Sequence, residues 1–117
     1  MNIEEYRTYC LSKKGVTEGF PFDGSTLVFK VMGKMFALTD VDSFEFVNLK
    51  ADPEYAVEIR EEYHGIKPGY HMSKKHWNSV YTNSDVSSEL LLTLIDDSYN
   101  LIVSSLTKKL QKELAEI

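Results

Sequence analysis

A chain of 117 residues, 43% of them hydrophobic, is the size of one domain and can bury a real core. Its single cysteine, Cys10, rules out an internal disulfide and a thiolate zinc site within one chain, and its formal net charge of −5 opposes nonspecific long-range attraction to nucleic acid or anionic membrane. No apolar run approaches the roughly 20 residues of a membrane-spanning helix, and MNIEEYRTYC lacks the layout of a signal peptide, so we expect one domain over residues 1–117, cytoplasmic and off the membrane.

In chain order, Asn2 and Glu5 form a capping pair for a first helix along which Ile3, Tyr6 and Cys10 recur at helical spacing, Cys10 as a small buried group. This helix should end near Gly15. TLVFKV then alternates Leu27, Phe29 and Val31 against Thr26, Val28 and Lys30, and Met32-Gly33 punctuates before KMFALT, which predicts two strands joined by a tight hairpin. FEFVNLK follows as a third strand, with Phe44, Phe46 and Asn48 on one side and Val47 and Leu49 on the other, completing an antiparallel meander.

Asp52-Pro53 is a strong helix start, because Asp caps free backbone N–H groups and Pro fits a first turn that needs none. Ala56, Ile59 and Tyr63 form the buried stripe of that helix. HGIKPGYHMSKK carries too many Gly and Pro signals for regular structure and reads as a long loop. WNSVYT returns to strand character, with Trp77, Ser79 and Tyr81 opposite Asn78, Val80 and Thr82. The remainder is helical, with an expected break near Asp97-Ser98 and a Ser98 cap. Tyr99, Ile102, Leu106 and Leu110 should pack inward, and Lys108, Lys109 and Lys112 should complement the negative end of the helix dipole. The order is helix, three strands, helix, loop, strand, helix, helix. The fold class that follows is α+β, an antiparallel β-sheet with helices packed on one face.

The stretch His64–Trp77, HGIKPGYHMSKKHW, concentrates the chemistry: it holds every histidine, the only tryptophan, Lys67, Lys74 and Lys75, and no carboxylate. A metal site there is disfavoured. His71 and His76 are five residues apart, His64 is separated from them by Gly65, Pro68 and Gly69, and no carboxylate is at hand to orient an imidazole. The bland alternative has His71 and His76 bonding to backbone groups of the irregular loop. Catalysis is disfavoured too: G-x-S-x-G, HExxH and a phosphate-cradling glycine loop are all missing, the pairs Glu61-Glu62 and Asp96-Asp97 diverge on helices, and no cofactor is implied. Anion contact fits better. Lysines neutralise phosphates, and histidine or indole at the same junction adds bonding or stacking, with Lys34 at the Gly33 turn and Lys30 beside it as a second basic tip. Against this, a lone tryptophan opening a strand more often anchors a core.

GVTEGFPFDGSTLVFKVMGKMFAL, NLKADPEYAVEIREEYHGIKPGYHMSKKHWNSV and DDSYNLIVSSL together resemble the MmcQ/YjbR family of small bacterial proteins, from about Tyr6 to about Leu110. The resemblance implies a CyaY/frataxin-like fold and a double-wing DNA-binding role, the wings here being the Lys30–Lys34 hairpin and the His71–Trp77 segment. A frataxin-like iron role would need an acidic ridge on the first helix, of which only Glu4 and Glu5 are present.

The leading expectation is therefore a noncatalytic module that binds DNA weakly and in a salt-dependent way. Its contact residues would be Lys30, Lys34, Lys67, His71, Lys74, Lys75, His76 and Trp77. The rival is a protein or small-molecule interaction domain in which residues 68–77 shape a pocket or partner surface. In that reading Tyr70, Met72 and Trp77 are the contacts, and Lys74 or Lys75 meets an acidic ligand.

Overall fold

A computed structural model describes all residues, Met1–Ile117. Six strands form one antiparallel sheet: β1 (Val16–Gly19), β2 (Thr26–Val31), β3 (Lys34–Asp40), β4 (Phe46–Lys50), β5 (Ile66–Pro68) and β6 (Trp77–Tyr81), in the spatial order β1-β2-β3-β4-β6-β5. Four helices, α1 (Ile3–Leu11), α2 (Pro53–Glu62), α3 (Ser88–Ser105) and α4 (Lys108–Ala115), pack on one face.

The alternation predicted for β2 builds the core. Leu27, Phe29 and Val31 face the helices beside Phe36, Val47, Leu49 and Val80, and α3 lays Leu91, Ile95 and Ile102 over them. Phe29 and the buried Tyr6 of α1 meet edge to face, their centroids 5.4 Å apart. The Asn2–Glu5 capping box is formed in both directions. Asp52 caps α2 by accepting from the Tyr55 N–H, with Pro53 opening the first turn. The Met32-Gly33 turn has positive φ at both residues, +50° and +86°, the requirement of the tight hairpin that matches strand twist.

Several expectations need correction. Phe44 does not share a side with Phe46 and Asn48: it lies before β4 at positive φ (+42°), its ring 5.4 Å from that of Tyr6 in the helix-covered core. β1 and β5 were not foreseen; both are short edge strands that exist through pairing, Val16–Gly19 against Val28–Val31 and Ile66–Pro68 against Asn78–Val80. Pro68 is tolerated at the end of an edge strand, where it leaves no ladder bond unmade.

The predicted break at Asp97-Ser98 does not occur. The last β3–β4 pair at that end is Ala37 with Leu49, so the Phe36 carbonyl and the Lys50 N–H lie one step beyond the ladder. Ser98 Oγ bridges them, donating to Phe36 O at 2.5 Å and accepting from Lys50 N at 2.9 Å. A buried hydroxyl that satisfies two strand groups keeps the helix running to Ser105. The break falls instead at Leu106, with Thr107 capping α4. Lys108 and Lys109 consequently open α4 rather than close a helix, and only Lys112 lies in a last turn.

Candidate nucleic-acid interface

The hairpin and register place the lysines. β2 and β4 finish at the same end of the sheet, where β3 and β6 begin, so Lys30 opposite Met35, Lys34 opposite Val31 and Lys50 opposite Trp77 share that end. The turn Ser73–His76 leads into β6 there, tied to β4 by Ala51 N donating to His76 O at 2.9 Å, and it carries Lys74 and Lys75. The end of α3 arrives at the same edge: Lys34 Nζ reaches Ser105 O at 3.5 Å, the negative end of that helix, with Lys108 and Lys109 close behind in sequence. The opposite end of the sheet, where Thr26 pairs with Asp40 and Phe46 with Tyr81, collects Asp23, Asp40, Asp42 and Glu45. These lysines of a chain of net charge −5 thus gather at one end of the sheet, where Asp52 and Asp97 stand beside Lys50, and carboxylates predominate at the other end.

Segment 69–76 folds back over the face that the helices leave open, and bonds from both neighbouring strands hold it there. Gly69 N donates to Trp77 O at 2.8 Å, Tyr70 N to Ser79 Oγ at 2.9 Å, and Asn48 Nδ2 to Tyr70 O at 3.1 Å. Ser79 Oγ closes the set by donating to Asn48 Oδ1. From the helix side, Arg60 of α2 donates through Nε to Asn78 Oδ1 and through its other arm to Lys74 O. Only glycine fits at 69: a Cβ there would stand 2.8 Å from Trp77 Cβ and 2.9 Å from Trp77 O.

The predicted contact residues separate on this frame. Lys75 is exposed. Lys74 is exposed as well, but its ammonium donates to Gly69 O at 2.8 Å and helps hold the turn. Lys30 is half-buried on the open face. Lys67 projects from β5 opposite Ser79, between the two ends of the sheet. Trp77 is buried, 8% exposed, in a small cluster with Val28 and Leu38 flanked by Met35 and Met72, so its indole offers no free face to a base. His71 is exposed in the left-handed region (φ +58°) with its ring 4.1 Å from that of Tyr70, and His76 is half-buried. The bonds that tie the loop come from Asn48, Arg60, Lys74 and Ser79, where the bland reading had assigned them to the histidines. No three His, Cys, Asp or Glu side chains lie together in a way that could hold a metal ion. Cys10 is buried as expected, and burial pushes its thiol up to about 12.

Lys50, Asn48 and Arg60 went unnoticed as parts of this region. Asn48 carried the one usable signal, a polar side chain in an apolar strand.

No helix is long and apolar enough to cross a membrane. Over residues 11–101 the chain matches the family model YjbR. It is 46% identical over 96 residues to the uncharacterised protein YbdF of Escherichia coli O157:H7, covering 81% of this chain and 79% of that one. It is 30% identical over 118 residues, spanning the whole of both chains, to the uncharacterised protein YjbR of Escherichia coli K12. The crystal structure of Deinococcus radiodurans protein DR2400, of domain family DUF419, superposes with a TM-score of 0.90 at 40% identity, covering 97% of this chain and 88% of that one. A crystal structure from Pseudomonas syringae superposes at 0.74 with 28% identity, covering 86% of this chain and 98% of that one. A family match over most of the chain, full-length relatives and the same α+β architecture agree: the chain belongs to the MmcQ/YjbR family.

Proposed function

We propose that the protein is a noncatalytic binding module that meets a nucleic-acid duplex weakly, through the cationic end of its sheet. One observation carries the reading: both basic turns, Met32–Lys34 and Ser73–His76, project from the same end, with Lys50 between them in the register. From the β2–β3 hairpin to β6 is two to three strand spacings, about 10–14 Å. That is close to the major-groove width of about 12 Å, so the two turns suit the two phosphate walls. The net charge of −5 is no obstacle once polarised, because a polyanion is met by the end that attracts it while the acidic end points away.

Trp77 has no part in this contact, being buried, and affinity rests on lysines alone. Lys30 and Lys75 are the ones to reverse, since Lys34 and Lys74 also bond to carbonyls of the fold. Lys30→Glu with Lys75→Glu should abolish the rise in anisotropy of a labelled mixed-sequence duplex on titration at low salt and leave the melting temperature within about 2 °C of the parent. Binding retained by a folded double variant contradicts the reading.

A further inference from the structure

The geometry points to a second site, on the open face toward the acidic end: a groove that takes a small organic cation carried on an apolar body. It rests on none of the lysines and stands apart from the duplex reading. The groove encloses about 490 Å³, within the range of small-ligand sites. The loop between β1 and β2 forms one wall and the segment after β5 the other, and they bring Phe22 and Tyr70 to the same opening. These are two of the few large hydrophobic side chains left in water, 64% and 58% exposed. Apolar side chains, Leu38 and Met72 among them, line the interior.

Its charge selects the ligand. Asp23 and Asp40 line the groove with His71 as its one basic side chain, and no lysine or arginine does. Asp40 takes both of its backbone bonds, from Asp42 N at 2.8 Å and Ser43 N at 3.1 Å, on Oδ1, which leaves Oδ2 free. Asp23 accepts from Ser25 N and Thr26 N on Oδ1 and from the Thr26 hydroxyl on Oδ2, bonds that hold its carboxyl below the usual range; it adds negative charge to the groove, and the free oxygen is that of Asp40. Two fixed carboxylates beside aromatic rims favour an ammonium or guanidinium by ion pairing and by the ring faces of Phe22 and Tyr70. An anionic ligand is repelled. This reverses the expectation of an acidic ligand for the pocket at residues 68–77: Lys74 and Lys75 lie on the turn at the other end.

The test compares three probes built on one phenylethyl body, 2-phenylethylammonium, 2-phenylethanol and 3-phenylpropanoate, titrated against the whole chain by amide NMR. Phenylethylammonium should shift the amides of Leu38, Asn48 and Met72 with a dissociation constant of about 1 mM. The alcohol should bind several-fold more weakly and the carboxylate not at all. Asp40→Asn, which keeps the Oδ1 bonds, should weaken the ammonium about five-fold, and Phe22→Ala, on an exposed loop, by a similar factor. Equal response to all three probes, no response to the ammonium, or shifts confined to the helices would overturn the proposal. Duplex binding by Asp40→Asn should match the parent, so failure of either site leaves the other standing.

Discussion

The two faces of the sheet use the same alternating strands for different ends. On the covered face, Phe29, Val31, Phe36, Val47 and Ile95 are fully buried, Ser98 and Asn78 are hydrogen-bonded, and the Tyr6 hydroxyl alone is left without a partner. On the open face, Val28, Leu38 and Trp77 form only a small cluster flanked by Met35 and Met72, and beyond it Phe22, Tyr70 and His71 stand in water. Stability is concentrated in one layer, and recognition can be built on the other at little cost to the fold. Substitutions of core side chains on the first should lower the melting temperature, and substitutions of exposed side chains on the second should change binding.

The largest effect should come at Ser98. Ser98→Ala strands the Phe36 carbonyl and the Lys50 N–H in the core, and chemical denaturation should show a loss of about 3 kcal/mol. A loss under about 0.5 kcal/mol would mean that the β3–β4 opening is not clamped by this hydroxyl. Gly69→Ala comes next, at about 1–2 kcal/mol, because its Cβ collides with the backbone and Cβ of Trp77. It should also raise acrylamide quenching of Trp77; unchanged quenching would separate the loop from the burial of the indole.

The smallest effect is in acid. Asp85 accepts from Gly65 N and His64 N, each at 2.8 Å, and these bonds lower its carboxyl below the ordinary value. A depressed carboxylate contributes stability that is present above the unfolded-state value of about 4 and lost as pH falls through the folded one. Asp85→Ala should therefore be less stable than the parent at pH 7 and should lose less on going to pH 3. Parallel acid limbs for the two proteins would remove Asp85 from the account.

Much of the covered face was legible in the sequence. Period-two alternation in TLVFKV and WNSVYT, the Asn2–Glu5 box and Asp52-Pro53 are local signals, and each states its own structure. What escaped was set by partners distant in sequence. Val16–Gly19 and Ile66–Pro68 are too short and too polar to declare themselves strands, and only their neighbours make them so. Ser98 looked like a cap because a helix-interior serine usually competes for backbone bonds, and its true partners lie 62 and 48 residues away. The candidate site was half legible. HGIKPGYHMSKKHW marked the segment that carries Lys74 and Lys75 to the end of the sheet, but which of its side chains face outward depended on Gly69 turning the chain back over β6. The acidic groove was not legible at all, since Phe22, Asp23 and Asp40 meet Tyr70 only across the assembled sheet.

The proposed duplex contact has a chain of net charge −5 meeting a polyanion with the lysine-bearing end of its sheet. It is tested most directly by the salt dependence of duplex binding by the unmodified protein, followed by fluorescence anisotropy from low to near-physiological ionic strength. With three to five phosphates met by Lys30, Lys34, Lys50, Lys74 and Lys75, the log–log slope should be about −3 to −4.5. No binding even at the lowest salt, or binding with a slope near zero, would contradict the account.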